Sequence, residues 1–337
     1  MATRKTPRIA FFDAKPYDRE YFDRANEELG FHITYFDGKL SAETAHISRG
    51  YDAVCIFVND TLDAEVARAL REGGVKLVAL RCSGYNNVDI ASLEPDIQVV
   101  RVPAYSPHAV AEYALALMLT LNRKTHRAFY RTRDNNFSLT GLVGFVMHGK
   151  TAGIIGTGKI GRITAELLRG LGMRVLAHDL YPHHEWAEQH GIEYVDPPRL
   201  YRESDIISLH CPLTPENLYM INKGTLSLMK SNAIIVNTGR GKLINSSDLL
   251  EALKNRKIAG AALDVYEEET EYFFEDHSTR IMEDDVLARL MTFPNVLVTS
   301  HQAFFTHEAL ESIAATTLDN IYRFFENGET PNRIAAA

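Results

Sequence analysis

The hexad Gly156-Thr157-Gly158-Lys159-Ile160-Gly161 follows a short apolar run and opens an amphipathic one. In that setting Gly156 can make a tight turn, Gly158 leaves an anion room to reach the backbone, and Gly161 lets a helix pack closely on a strand. The free amides and positive dipole of the helix's first turn then suit a pyrophosphate. Asp179 lies 18 residues beyond Gly161, near the ~20 expected of an acid that binds the ribose of a dinucleotide. A carboxylate there accepts hydrogen bonds from ribose hydroxyls and repels a 2′-phosphate. The adjoining Tyr181-Pro182-His183-His184 holds no arginine to welcome that phosphate. NAD is therefore expected rather than NADP.

Ligands of open parallel sheets bind beyond the carboxyl ends of the strands. The residues that follow successive apolar runs are His210-Cys211-Pro212, then Asn237-Thr238-Gly239-Arg240-Gly241, then Asp264, then Ser300-His301. One edge thus collects an arginine, an aspartate and two histidines. Hydride transfer to a 2-oxo acid needs a cation to hold the carboxylate and polarise the carbonyl, and an acid to protonate the oxygen. Arg240 suits the first role because a guanidinium binds a carboxylate in bidentate fashion. A histidine suits the second, and a neighbouring carboxylate favours its protonated form. Spacing does not choose between His210 and His301, nor among Asp264, Glu267, Glu268 and Glu269 as the histidine's partner. Singly, each of these residues serves as readily as a turn or helix cap; it is their conjunction that points to chemistry.

The elements that must position them alternate. Apolar runs at 9–12, 53–58, 77–80 and 99–102 read as strands, with helical spacing at 17–29 and 62–70 between them. An apolar helix is expected over 107–122, then a polar segment over 123–141. A second series of six strands follows at 151–155, 173–177, 206–209, 233–236, 259–263 and 296–299, with a helical tail at 308–325. This alternation predicts an α/β fold with helices on both faces of parallel sheets. The acidic stretch 267–285, which includes Tyr272-Phe273-Phe274, breaks the rhythm and reads either as a functional loop or as a solvated one.

With 337 residues the chain has material for roughly two domains. Lysine and arginine number 36 against 44 aspartates and glutamates, a formal charge of −8, so no bulk basic field favours nucleic acid. Cys55, Cys82 and Cys211 are an odd, scattered set that argues against a disulfide framework or a zinc site and fits a reducing compartment. The most apolar stretch, 113–121, is about half the ~20 residues of a spanning helix, and the basic N-terminus lacks a signal-peptide pattern. A cytoplasmic protein with no membrane, metal or nucleic-acid role is expected.

The segments Arg81-Cys82-Ser83-Gly84-Tyr85-Asn86-Asn87-Val88-Asp89, Val102-Pro103-Ala104-Tyr105-Ser106-Pro107, Asn237 to Gly241, Asp264-Val265-Tyr266-Glu267 and Ser300-His301-Gln302-Ala303-Phe304 together resemble the D-isomer-specific 2-hydroxyacid dehydrogenases. Tyr272-Phe273-Phe274-Glu275-Asp276 is similar to a segment of that family's bacterial fermentative D-lactate branch. The resemblance covers essentially the whole chain. It implies two Rossmann-like, doubly wound parallel-sheet domains with a cleft between them. One would be a discontinuous substrate domain of residues 1–103 and 302–337, the other an NAD domain of 104–301.

As catalytic residues the resemblance implies Arg240, Glu269 and His301, with Arg240 on the substrate carboxylate and carbonyl and His301 donating the proton. Glu269 would hydrogen-bond His301. It implies Ser83 and Gly84 as backbone donors to the carboxylate, and Tyr105 and Phe304 as pocket walls. Toward NAD it implies Lys159, Ile160, Asp179, Cys211, Pro212, Asn217, Thr238, Gly239 and Asp264, beside the glycines Gly156, Gly158 and Gly161, and it puts His210 in the cofactor wall. The implied reaction is reversible reduction of pyruvate to D-lactate by a homodimer or homotetramer. Alternatives are a bulkier 2-oxo acid, glyoxylate or hydroxypyruvate as substrate, or an NADH-sensing corepressor. Gly239 departs from the serine frequent in relatives, which removes a hydroxyl near the cofactor. Cys82 reads as a small buried residue.

Overall fold

The strands are short runs rich in branched residues, and the central ones are buried at every position, as parallel strands covered on both faces must be. In the computed structural model, which describes residues 6–269 and 272–336, they are β1 (Arg8–Phe11), β2 (His32–Tyr35), β3 (Ala53–Ile56), β4 (Leu77–Leu80) and β5 (Gln98–Arg101). Then come β6 (Thr151–Ile155), β7 (Arg174–His178), β8 (Ile192–Tyr194), β9 (Ile206–Leu209), β10 (Ile234–Asn237), β11 (Gly260–Leu263) and β12 (Val296–Val298). Last is β13 (Arg333–Ile334).

They form two sheets. The first has the order β13-β5-β4-β3-β1-β2 and is parallel apart from β13, which runs antiparallel to β5. The second has the order β12-β11-β10-β9-β6-β7-β8 and is parallel throughout. The α/β architecture expected from the alternation is thus present, in the two doubly wound sheets that the resemblance implies. The chain divides into two compact units, Met1–Ser106 with Phe305–Ala337, and Pro107–Phe304.

In the second sheet the chain leaves β6 toward β7 on one side and returns to β9 on the other. That reversal opens a crevice at the carboxyl ends of β6 and β9. The register sets Ile155 beside Leu209, so Gly156 and His210, one step on, flank the crevice. The helix Pro107–Arg123 packs its apolar side, including Leu117, Met118 and Leu121, under this sheet. No described helix is long and apolar enough to cross a membrane.

Two expectations need amendment. The second series has seven strands, because Ile192–Tyr194 pairs with β7; three residues are too few to show a period. The segment 123–141 contains the helix Thr125–Arg133. That helix buries no side chain within the structure, so it leaves no apolar stripe to read.

Candidate active site

The dinucleotide loop is built on backbone crowding. Gly156 has φ +92°, and a Cβ there would meet the backbone nitrogen of Cys211 at 2.4 Å. A Cβ on Gly161 would lie 1.9 Å from the Gly156 carbonyl oxygen. Gly158 is the opposite case, for a Cβ there would find no atom within 4 Å. The helix Lys159–Gly170 starts at Gly158, and no side chain caps its first amides among the described residues. Open space over one glycine, next to uncapped amides, is the cradle an NAD pyrophosphate requires. Thr238 supports the same fit, since its hydroxyl is buried with no hydrogen-bond partner among the described residues.

Asp179 follows β7 and is held by the loop itself. Its Oδ2 accepts the Thr157 amide at 2.5 Å and the Thr157 hydroxyl at 3.0 Å, and its Oδ1 accepts the Tyr181 amide at 2.8 Å. Burial works to raise its pKa, but these donors outweigh burial and hold it below the ordinary carboxylate value. Lys159 and Ile160 form the helix's first turn. On the neighbouring loop, Asn217 donates to the Pro212 carbonyl at 2.7 Å and accepts the Thr214 amide at 2.8 Å. The Cys211 sulfur lies 3.8 Å from the sulfur of Met220, and burial pushes the thiol up to about 11. It is a packing group rather than a nucleophile.

Arg240 leaves β10 in a loop braced by Asn237. The Asn237 oxygen accepts the Gly239 amide at 3.0 Å, and its nitrogen donates to the Arg240 carbonyl at 2.9 Å. Nothing in that backbone demands glycine at 239, where a Cβ would make ordinary contacts of 3.5 Å or more. Gly241 is different: a Cβ there would come within 2.0 Å of the Tyr266 carbonyl oxygen. The Arg240 guanidinium donates to the Gly239 carbonyl at 2.8 Å, and no carboxylate neutralises it among the described residues.

His301 and Glu269 are joined, Nδ1 to Oε1, at 2.9 Å. The other Glu269 oxygen accepts the Tyr266 amide at 3.0 Å, which fixes the carboxylate. Held by Nδ1, the imidazole keeps Nε2 for a reacting group. The Phe274 ring lies 5.9 Å from the imidazole, so the acidic stretch puts an aromatic beside the histidine. Residues 270 and 271 of that stretch lie outside the described residues. Asp264, by contrast, turns its buried carboxylate onto the turn after β12, accepting the Thr299 hydroxyl and the Gln302 and Ala303 amides. Burial pushes its pKa up against those donors. Phe304 is buried at the end of that turn.

The two histidines left open by spacing differ in kind. His210 pairs with the Ser208 hydroxyl at 2.9 Å, and burial pulls its pKa down to about 4. Burial thus favours its neutral form at ordinary pH. His301 has the carboxylate. Among the described residues no group of three or more His, Cys, Asp and Glu could hold a metal ion.

In the first unit the segment from Arg81 is pinned at several points. Arg81 is buried, its guanidinium 4.5 Å and 4.9 Å from the Phe11 and Phe57 ring centres. Arg101 donates to the Ser83 carbonyl at 2.9 Å and lies over the Tyr85 ring. Cys82 is buried and its thiol contacts the Gly84 carbonyl at 3.2 Å. Tyr105 lies just beyond β5, partly buried. Reading the residues did not find Thr157, Tyr194, Ser208 or Arg101. Only Thr157 had a signal, its place between two loop glycines.

The profile of the D-isomer specific 2-hydroxyacid dehydrogenase NAD binding domain matches residues 115–303. The chain is 53% identical to the D-lactate dehydrogenase of Escherichia coli over 329 residues, which cover 97% of this chain and 99% of that one. Its fold is similar to the apo structure of D-lactate dehydrogenase from Escherichia coli, with a TM-score of 0.90 at 50% identity over 97% of this chain and 100% of that one. It is also similar to the pyruvate reductase of Chlamydomonas reinhardtii, with a TM-score of 0.93 at 40% identity over 98% of this chain and 100% of that one.

Proposed function

The chain belongs to the D-isomer specific 2-hydroxyacid dehydrogenase family, and from that premise we propose that it is an NAD-dependent D-lactate dehydrogenase that interconverts pyruvate and D-lactate. The observation that carries this reading is the Glu269–His301 pair at 2.9 Å in the same unit as the dinucleotide loop and an unneutralised Arg240. The bound cofactor supplies the hydride to the carbonyl carbon. Arg240 binds the substrate carboxylate and polarises the carbonyl. His301 donates its Nε2 proton to the carbonyl oxygen in reduction and takes it back in oxidation. Glu269 holds the ring by Nδ1 and fixes its orientation.

On the cofactor side, Gly156, Gly158, Gly161 and the first turn at Lys159 and Ile160 take the pyrophosphate, and Asp179 takes the ribose. Cys211, Pro212, Asn217, Thr238 and Gly239 form the wall, with neutral His210 behind them. Asp264 acts through the turn it holds. For Ser83, Gly84, Tyr105 and Phe304 the support is the segment match with the family. We assign residues 1–103 and 302–337 to substrate binding and 104–301 to NAD. A cytoplasmic homodimer or homotetramer belongs to the same proposal. The exposed Phe129, Tyr130, Phe137, Leu139, Val143 and Val146 supply apolar surface for self-association, which light scattering tests.

Purified protein given pyruvate and NADH should consume NADH, and chiral chromatography of the product should find D-lactate. Comparing kcat/KM for pyruvate, hydroxypyruvate, glyoxylate and phenylpyruvate tests the substrate. A higher value for any of the others would replace pyruvate in the proposal.

A further inference from the structure

We propose that Thr157 and Tyr194 set the cofactor preference of this site by locking Asp179 in place, without either side chain having to touch the cofactor. The proposal rests on the reading of Asp179 as the ribose-binding acid.

The direction of every hydrogen bond in the lock follows from counting protons. An ionised carboxylate only accepts, with about four lone-pair positions. Three are used: Thr157 fills both on Oδ2 with its amide and its hydroxyl, and the Tyr181 amide takes one on Oδ1. The hydroxyl of Thr157 has one proton, and Asp179 receives it. At the 2.7 Å contact with Tyr194, Thr157 must therefore accept and the phenol donate. The phenol oxygen in turn accepts the His183 amide at 3.0 Å. All protons point one way, from the turn after β7, through Tyr194 and Thr157, to Asp179.

This relay ties three elements together. Thr157 is fully buried between the loop glycines, Asp179 immediately follows β7, and Tyr194 closes β8, where it is in register with Ala177. Among the described residues one acceptor position remains on Asp179, on Oδ1, enough for a ribose hydroxyl. The larger consequence concerns rejection. An unbraced aspartate can swing away from an incoming 2′-phosphate and so lower the repulsion. This one cannot rotate without breaking three hydrogen bonds to a charged acceptor. The fixed negative charge is what excludes NADPH.

The test is equilibrium binding of NADH and of NADPH, followed by their fluorescence without substrate, in the parent, Thr157→Val, Thr157→Ser, Tyr194→Phe and Asp179→Ala proteins. Thr157→Val should lower the ratio of the NADPH to the NADH dissociation constant by roughly tenfold, and Tyr194→Phe by about threefold, as expected for loss of one hydrogen bond at or next to a charge. Thr157→Ser, which keeps the hydroxyl, should restore the parent ratio. Tyr194→Phe removes one oxygen from a partly exposed ring, so it remains informative if Thr157→Val does not fold. Equal weakening of both cofactors, or an unchanged ratio in Tyr194→Phe and Thr157→Val while Asp179→Ala lowers it, would overturn the lock and leave Asp179 as the ribose acid. An unchanged ratio in Asp179→Ala would remove the ribose assignment itself, and the lock with it.

Discussion

Asp264 holds His301 in a backbone conformation that histidine seldom takes. His301 has φ +52°, and its amide donates to the Asp264 carbonyl at 2.7 Å. The Asp264 carboxylate gathers the rest of the turn: the Thr299 hydroxyl at 2.6 Å, the Gln302 amide at 2.9 Å and the Ala303 amide at 2.8 Å. A left-handed non-glycine residue costs on the order of 1 kcal/mol and persists where its surroundings over-determine it. Here four hydrogen bonds from one residue do so. The imidazole is thus aimed from two sides, by its own backbone and by Glu269.

Asp264→Asn should therefore damage turnover more than cofactor binding. The amide keeps one accepting oxygen but turns an NH2 against a backbone N–H, leaving a buried donor unmet at ~1–3 kcal/mol. We expect kcat to fall about 10- to 100-fold, with a lower melting temperature and an NADH dissociation constant near the parent's. Loss confined to NADH binding, with kcat preserved, would show that Asp264 serves the cofactor and not the turn.

The proton-donor assignment makes a sharper demand. His301→Gln should reduce kcat by about 10²–10⁴-fold, the usual contribution of a positioned general acid, and leave NADH binding intact. Glu269→Gln should cost less, since an amide still accepts from Nδ1. Stopped-flow reduction of pyruvate, with NADH titrations on each variant, measures both. Turnover within tenfold of the parent in His301→Gln would move the acid elsewhere.

Much of this site was legible because it sits where chain order and strand order must agree. The hexad at 156, the Asn237–Gly241 loop and Ser300-His301 each follow a run of branched residues, so their place at one sheet edge followed from the runs. What was hidden depends on three-dimensional contact. Tyr194 lies 37 residues from Thr157, in a three-residue strand with no period to detect. The partner of His301 could not be chosen among four nearby acids by spacing, because Asp264 and Glu269 both bond to the same turn, one to the backbone and one to the imidazole. Positive φ at His301 leaves no mark in sequence at all.

His210 ties acid stability to the crevice. Its folded pKa of about 4 lies below the 6.5 of a free histidine, so between those values the unfolded chain binds the extra proton. Stability from this residue is complete above the unfolded value and is lost as pH falls toward the folded one. From neutral pH to roughly pH 5 the loss is about 1–2 kcal/mol, discounted because an edge of the residue reaches solvent. Thermal unfolding at the two pH values should show a smaller drop for His210→Gln than for the parent. An equal drop in both would place the acid sensitivity in other groups.

The three glycines of the hexad should separate by experiment into those the fold needs and the one a ligand needs. At Gly161 a methyl would overlap the Gly156 carbonyl at 1.9 Å, so Gly161→Ala should lower the melting temperature by several degrees or prevent folding. Gly158 has φ −66°, which alanine adopts freely, and no protein atom lies within 4 Å of the added methyl. Its only intrinsic cost is that of a poorer helix N-cap, under ~1 kcal/mol. Gly158→Ala should thus melt within about 2 °C of the parent while its NADH dissociation constant rises roughly tenfold or more, because the methyl occupies the space a pyrophosphate needs. A Gly158→Ala protein that is stable and binds NADH as the parent does would show that the phosphates do not approach over this glycine.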